Sequence, residues 1–180
     1  MADPMVRTTS LEGRFLNAEG ITLVRAEPAT RLSLRASKPA LKTLSKALGL
    51  DLPQRPKSVA ANAGRTALWL GPDEWLVIDE TGSDLVAACA PVAAFHSAVD
   101  VSHRNTAVLV SGPRVETVLN AGCPQDLSLD AFPVGACSRT VFGKAEVVLW
   151  RTDNEMFRVE CWRSFSDYVF MLLEAAARDL

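Results

Sequence analysis

Most of the features that announce a function are missing from this chain. No run of about 18 apolar residues is present, so no segment is long enough to cross a bilayer as a helix. The opening MADPMVRTTSLEGRF has no apolar core of the kind a secretory signal needs, and a cytoplasmic protein is expected. Lysine and arginine number 19 against 21 aspartates and glutamates, a net charge of -2 that gives no electrostatic reason to expect nucleic acid. Neither G-x-G-x-x-G nor G-x-x-x-x-G-K-[ST] occurs, which excludes the common dinucleotide and triphosphate loops. The four cysteines, Cys89, Cys123, Cys137 and Cys161, show no C-x-x-C and no histidine at zinc-finger spacing. They read as small core residues in a reducing compartment.

What is present is apolar strand. Hydrophobic residues make up 48% of 180 residues, enough to bury a core without disulfides or metal. The stretch GRTALWLGPDEWLVIDE, Gly64 to Glu80, reads as a β-hairpin, because Pro72 pre-sets a turn angle and Asp73 can bond its own backbone. Leu68 and Leu70 point one way and Ala67 and Trp69 the other; on the return strand Trp75 and Val77 oppose Leu76 and Ile78. Both faces therefore need cover, which places the hairpin mid-sheet with helices on one side and another layer or another protein on the other.

Around it, Ile21–Ala26 and Arg31–Ala36 read as strands flanking Glu27-Pro28, with Arg31 and Arg35 on a solvated or partner-facing side. Pro39 opens a helix with Leu41, Leu44 and Leu48 at helical spacing and Gly49 as its cap, while Lys38, Lys42 and Lys46 form its wet face. Residues 51–64 are expected to be a connecting loop, and Ser83 to cap a helix through Leu85. Strands at Phe95–Val101 and Thr106–Val110 precede a helix carrying Val115, Val118 and Leu119, and residues 123–135 read as loop. Strands at Cys137–Phe142, Ala145–Trp150 and Met156–Trp162 follow, the last with Arg158 and Glu160 on a wet face. A final helix starts at Ser164, with Ser164-x-x-Asp167 as a capping box and Phe165, Tyr168, Val169, Leu172, Leu173 and Ala176 as its apolar stripe.

This order predicts an α+β protein. Residues 29–101 fit a split β-α-β-β-α-β unit and the remainder an altered second copy. Residues 1–18 are expected to be an extended arm, and 19–180 a single domain of two intimately packed halves, about 19–101 and 102–180. A weak internal echo relates Arg65–Pro72 to Arg104–Pro113, but the two segments hold different places in the proposed units.

Catalytic groups are sparse. His96 and His103 flank Asp100, and with Ser102 and Cys137 a triad can be drawn. Yet Ser102 and His103 are adjacent and would point apart on a strand, and no G-x-S-x-G elbow is present. Two histidines seven apart with one carboxylate make no recognisable metal set. The four tryptophans say more, since tryptophan is enriched at the buried centres of interfaces. Trp69, Trp75 and Trp150 are the candidates for contact with a partner.

The strings LWLGPDEWLVI, AVDVSHRNTAVLVSGP, AGCPQDLSLDAFPVGACSRTVFGKAEVVLW and FRVECWRSF run in that order from about Arg65 to the C-terminus. Together they closely resemble the gamma subunit family of heterotetrameric sarcosine oxidase. The resemblance implies a complex of alpha, beta, gamma and delta chains that oxidises sarcosine to glycine. It also implies that FAD, FMN, NAD, tetrahydrofolate and zinc sit on the partner chains, and that this chain holds no catalytic, cofactor or metal residue of its own. The segment from Asp100 to Pro113 is similar as well to the aminomethyltransferases of glycine cleavage, whose folate-binding fold gamma shares in reduced form. Where that family has Gly-Gly-x-x-Asp-Asp-Leu, this chain has Gly143-Lys144-Ala145-Glu146-Val147, which keeps Glu146 at most. The expected function is a non-catalytic gamma subunit docked on the alpha chain. The alternative is a small tetrahydrofolate-binding, aminomethyltransferase-like module using Asp100 and Glu146.

Overall fold

The computed structural model describes residues 10–18 and 20–179. Its strands are β1 (Phe15–Ala18), β2 (Ile21–Arg25), β3 (Thr30–Ala36), β4 (Val59–Asn62), β5 (Arg65–Gly71), β6 (Glu74–Asp79), β7 (His96–Asp100), β8 (Asn105–Ser111), β9 (Cys137–Phe142), β10 (Ala145–Asp153) and β11 (Met156–Trp162). The helices are α1 (Leu41–Leu48), α2 (Leu85–Cys89), α3 (Val115–Asn120) and α4 (Ser166–Arg178).

Two antiparallel sheets form, ordered β4-β5-β6-β3-β7 and β1-β2-β8-β11-β10-β9. In the first, β3-α1-β5-β6-α2-β7 is the split β-α-β-β-α-β unit expected for residues 29–101, with β4 added at one edge. The second repeats the plan as β8-α3-β10-β11-α4, with β9 on the edge where the first has β4. Its remaining strand comes from upstream: β2 lies beside β8 as β7 lies beside β3. The even division at residue 101 is thereby corrected, because Ile21–Arg25 belongs to the sheet of the second half. In this alignment β5 corresponds to β10 and not to β8, so the internal echo is not a structural equivalence.

The layers follow from alternation along the strands. On one face of the first sheet Leu32, Leu34, Ala67, Trp75 and Val77 pack under α1 and α2, meeting Leu41, Leu44, Leu48, Leu85 and Cys89. Each such leucine, fully removed from water, contributes about 1.5–3 kcal/mol. On the opposite face Leu68, Leu76 and Ile78 meet Cys137 and Val148 of the second sheet. The outer face of that sheet packs under α3 and α4. The cover demanded by both faces of the central hairpin is therefore supplied within the chain, by helices on one side and the other sheet on the other.

Several local expectations change. Residues 59–62 are a strand, closed onto β5 by Ala63 and Gly64, both at positive φ (47° and 80°), the signature of a tight two-residue hairpin turn. Four small or polar residues just after two prolines carry too little β signal to show this. Phe15–Ala18 pairs with β2, so part of the expected arm is an edge strand; residues 1–9 of it lie outside the described residues. Asp84, not Ser83, caps α2 by accepting from Ala87 N–H at 2.9 Å. The capping box at Ser164 does not form: a 3-10 turn, Arg163–Phe165, intervenes, and no side chain caps α4. The apolar stripe of α4 is rotated accordingly. Phe170 and Ala177 go inward, while Phe165 and Tyr168 are 41% and 40% exposed.

Candidate functional site: the seam between the sheets

The seam is where the polar residues collect. Along β3 the alternation that sends Leu32 and Leu34 under the helices sends Arg31 toward the second sheet. Along β11 it sends Phe157, Val159 and Cys161 under α3 and α4, and Arg158 and Glu160 toward the first. Both faces are expected to be wet; Arg35 is exposed, but Arg31 is 3% exposed, Arg158 5% and Glu160 1%. Each wet-looking face is the other's cover.

Their charges are matched as burial requires. Arg31 Nε and Nη2 donate to the two carboxylate oxygens of Glu160 at 2.7 and 3.1 Å, and its Nη1 donates to Ala29 O at 3.1 Å. Arg158 Nε donates to the same carboxylate at 2.8 Å, and its Nη1 reaches the largely exposed Glu80 at 3.4 Å. Arg158 Nη2 is left buried without a partner among the described residues. A second tie joins the sheets at Glu74, which pairs with Arg35 of β3 at 3.0 Å and with Arg139 of β9. Burial would raise the Glu74 carboxyl, but the hydrogen bonds and charges of Arg139 and Arg35 outweigh it and hold it low.

The triad drawn from the sequence is not assembled. Asp100 accepts from Ser102 N–H at 2.7 Å, and hydrogen bonding by Ser102 keeps its carboxyl low. Ser102 Oγ in turn accepts from Arg31 N–H at 2.9 Å, so both residues shape the turn leaving β7. His96 is bonded through Nδ1 to Ala94 O at 2.7 Å, and His103 is exposed. Cys137 lies on β9 in the other sheet, beside the carbonyls of Ser58 and Trp69, and burial pushes its thiol up to about 12. A thiol held there is protonated at neutral pH and is no nucleophile. Glu146 is exposed on β10. Among the described residues no group of three or more histidines, cysteines and carboxylates could hold a metal ion, and no helix is long and apolar enough to cross a membrane.

The tryptophans separate into kinds. Trp75 is 1% exposed and donates Nε1–H to Pro53 O at 2.7 Å; it is a core residue, which corrects its place among the surface candidates. Trp69 and Trp150 are half-buried, each against one of the inner clusters. Trp162, passed over in the sequence, is 39% exposed and opens a row with Phe165, Tyr168 and Met171 (56% exposed) along the 3-10 turn and α4. The signal was available: these residues recur every third position across a strand end and a helix start.

Two back-to-back split-βαβ sheets, enclosed by helices and stapled by buried ion pairs, define an aminomethyltransferase-like scaffold. Aminomethyltransferase T of the glycine cleavage system from Bartonella henselae superposes with a TM-score of 0.67 at 13% identity, over 89% of this chain and 49% of that one. At that identity the likeness is one of fold. A chain of the heterotetrameric sarcosine oxidase of Corynebacterium sp. U-96, solved with pyrrole 2-carboxylate, superposes with a TM-score of 0.85 at 27% identity, over 94% of this chain and 90% of that one. The sarcosine oxidase subunit gamma of Corynebacterium sp. (strain P-1) is 35% identical over 155 residues, 82% of this chain and 75% of that one. Its counterpart from an Arthrobacter species is 38% identical over 138 residues, 73% of this chain and 67% of that one. Residues 34–179 match the model of the sarcosine oxidase, gamma subunit family. The chain belongs to that family.

Proposed function

We propose that this chain is the gamma subunit of a heterotetrameric sarcosine oxidase and serves it as a non-catalytic scaffold docked on the alpha chain. The observation that carries the reading is the superposition on a chain of the Corynebacterium enzyme along 94% of the length. The seam supports it from the side of chemistry. Its polar groups are spent on one another, Asp100 on a turn and Glu160 on two arginines, and Cys137 is a protonated thiol. On this reading the oxidative demethylation of sarcosine to glycine, with FAD, FMN, NAD, tetrahydrofolate and zinc, belongs to the alpha, beta and delta partners. Trp69 and Trp150, joined by the exposed Trp162, are the anchors offered to the alpha chain, since half-buried tryptophans are the residues that interfaces finish burying.

The alternative of a small tetrahydrofolate-binding module needs Asp100 and Glu146 to act together, but Asp100 is engaged by Ser102 in the turn leaving β7, while Glu146 is exposed on β10. The test is co-expression of the tagged chain with the alpha, beta and delta chains of a heterotetrameric sarcosine oxidase. Co-elution as one complex that consumes oxygen with sarcosine is expected. A chain that elutes alone, or that binds tetrahydrofolate by itself, overturns the reading.

A further inference from the structure

The groove between α1 and the edge of the first sheet plays no part in the seam. It encloses about 1090 Å³. One wall is the outer side of α1 and the turn before it, carrying Lys38, Lys42 and Lys46; all three are exposed, and none is in an ion pair among the described residues. The opposite wall is β4, the last strand of its sheet. Asp51 is the one carboxylate on the lining. A chain of net charge -2 has thus gathered three unmatched positive charges beside a strand with a free edge.

That edge is open. Trp69 N–H donates to Ser58 O at 3.1 Å, and the two-residue turn closes Asn62 onto Arg65. Alternate residues of an antiparallel ladder turn toward the partner strand, so Ser58, Ala60 and Asn62 face β5 while Val59 and Ala61 turn their amides and carbonyls away from it. The edge is blunted only by its shortness, four residues, since Val59–Asn62 carries no lysine, no proline and no register shift. The spacings agree too. Lys42 and Lys46, four apart on α1, stand about 6 Å apart along its axis, and alternate side chains of a strand recur about every 6.7 Å.

We propose that this groove takes an extended acidic segment of a partner chain, which adds to β4 as the sheet's next strand while carboxylates at every second position pair with Lys38, Lys42 and Lys46. A single-stranded nucleic acid fits less well, because the lining offers no aromatic ring for bases to stack on, whereas the free edge offers backbone groups at strand spacing. The inference rests on the chain working within an assembly, and its test is arranged so that the two can fail separately.

The probe is a fluorescein-labelled peptide of four Glu-Val repeats, with a Ser-Val peptide as control, titrated against the full chain by fluorescence anisotropy. Binding is expected for Glu-Val above Ser-Val and should weaken as salt is added, with a loss of roughly tenfold or more in the triple variant Lys38→Glu, Lys42→Glu, Lys46→Glu. Ala61→Pro removes one outward amide and keeps every charge, and a loss of roughly threefold or more is expected from it. Circular dichroism melts establish that the variants are folded. Undiminished binding by the triple variant overturns the proposal. So does an oligothymidylate that displaces the peptide while Ala61→Pro binds as wild type, which would make the groove a simple polyanion patch. In the co-expressed complex the triple variant should be lost from the assembly at salt concentrations that the wild type survives. A wild-type chain that fails to assemble but binds the peptide sinks the oxidase reading and keeps the groove. One that assembles as well with the triple variant as without removes the groove from the assembly.

Discussion

Arg31 and Glu160, 129 residues apart in the chain, face each other across the seam with both guanidinium-to-carboxylate bonds made, at 2.7 and 3.1 Å. Arg31 belongs to the first sheet and Glu160 to the second, so the pair fixes how the two units sit together. Buried ion pairs contribute little net stability compared with well-packed apolar residues, because desolvation offsets most of the attraction. What this one does is tie β3 of the first sheet to β11 of the second at a single point of each strand.

The first prediction follows from that asymmetry. Glu160→Gln leaves Arg31 buried without a counter-charge and Arg158 with only the largely exposed Glu80, and should cost about 3–5 kcal/mol in urea unfolding. Replacing the set together, Arg31→Met with Arg158→Met and Glu160→Leu, should recover most of that loss. A single variant as stable as wild type would show that the cluster is open to water.

The same residues show where the sequence was legible and where it was not. The strand and helix order, the split-βαβ unit and the two-sided demand of the Leu68–Ile78 hairpin are local or periodic, and the structure carries them. Arg31, Arg158 and Glu160 read as solvated because alternation reports only that a strand has two unlike faces. It does not report that two such faces meet. Trp75 illustrates the converse: its amphipathic ring suggested a partner, but the partner of its indole N–H is the carbonyl of Pro53 in the chain's own loop. The seam was invisible because charge complementarity between distant strands leaves no trace within either one.

Acid should act on the fold through Asp79. Burial would raise this carboxyl, but hydrogen bonds from Thr81, from Arg65 and from the backbone of Ser83 and Thr81 outweigh it and lower the group from 3.8 to about 2. A carboxyl depressed by folding contributes stability that is fully present above its unfolded value and is lost as pH falls through the folded one. Stability should therefore drop between pH 3.8 and about 2. Asp79→Asn should flatten that limb and cost about 2 kcal/mol at neutral pH. An unchanged acid limb in the variant, followed by fluorescence-detected urea melts at stepped pH, would count against this assignment.

Arg151 is 0% exposed and organises the strand-free stretch between α3 and β9. Its Nη1 donates to Leu127 O and Phe132 O, each at 2.9 Å, its Nη2 donates to Asn154 O at 2.7 Å and pairs with Glu116, and the guanidinium lies 4.8 Å from the Phe157 ring centre. A planar fork with donors on several sides is required, and an ammonium cannot replace it. Arg151→Lys should cost about 3 kcal/mol and speed chymotryptic cleavage after Leu127 or Leu129. Wild-type proteolysis rates in the variant would mean that the loop holds itself.

The cysteines supply the last test, and it bears on whether this chain has any chemistry of its own. All four are free and buried. Burial pushes Cys137 up to about 12; at Cys161 burial, reinforced by the nearby Glu160 carboxylate, does the same, and burial raises Cys89 as well. A thiol is reactive only as its thiolate, so at pH 8 the fraction available at Cys137 or Cys161 is about one in ten thousand even before access is considered. Ellman's reagent should therefore titrate almost no thiol in the native chain and four after denaturation. A native chain in which Cys137 reacts within seconds would place a thiolate at the seam between the sheets, next to the carbonyls of Ser58 and Trp69, and the scaffold reading would have to yield to a nucleophilic one.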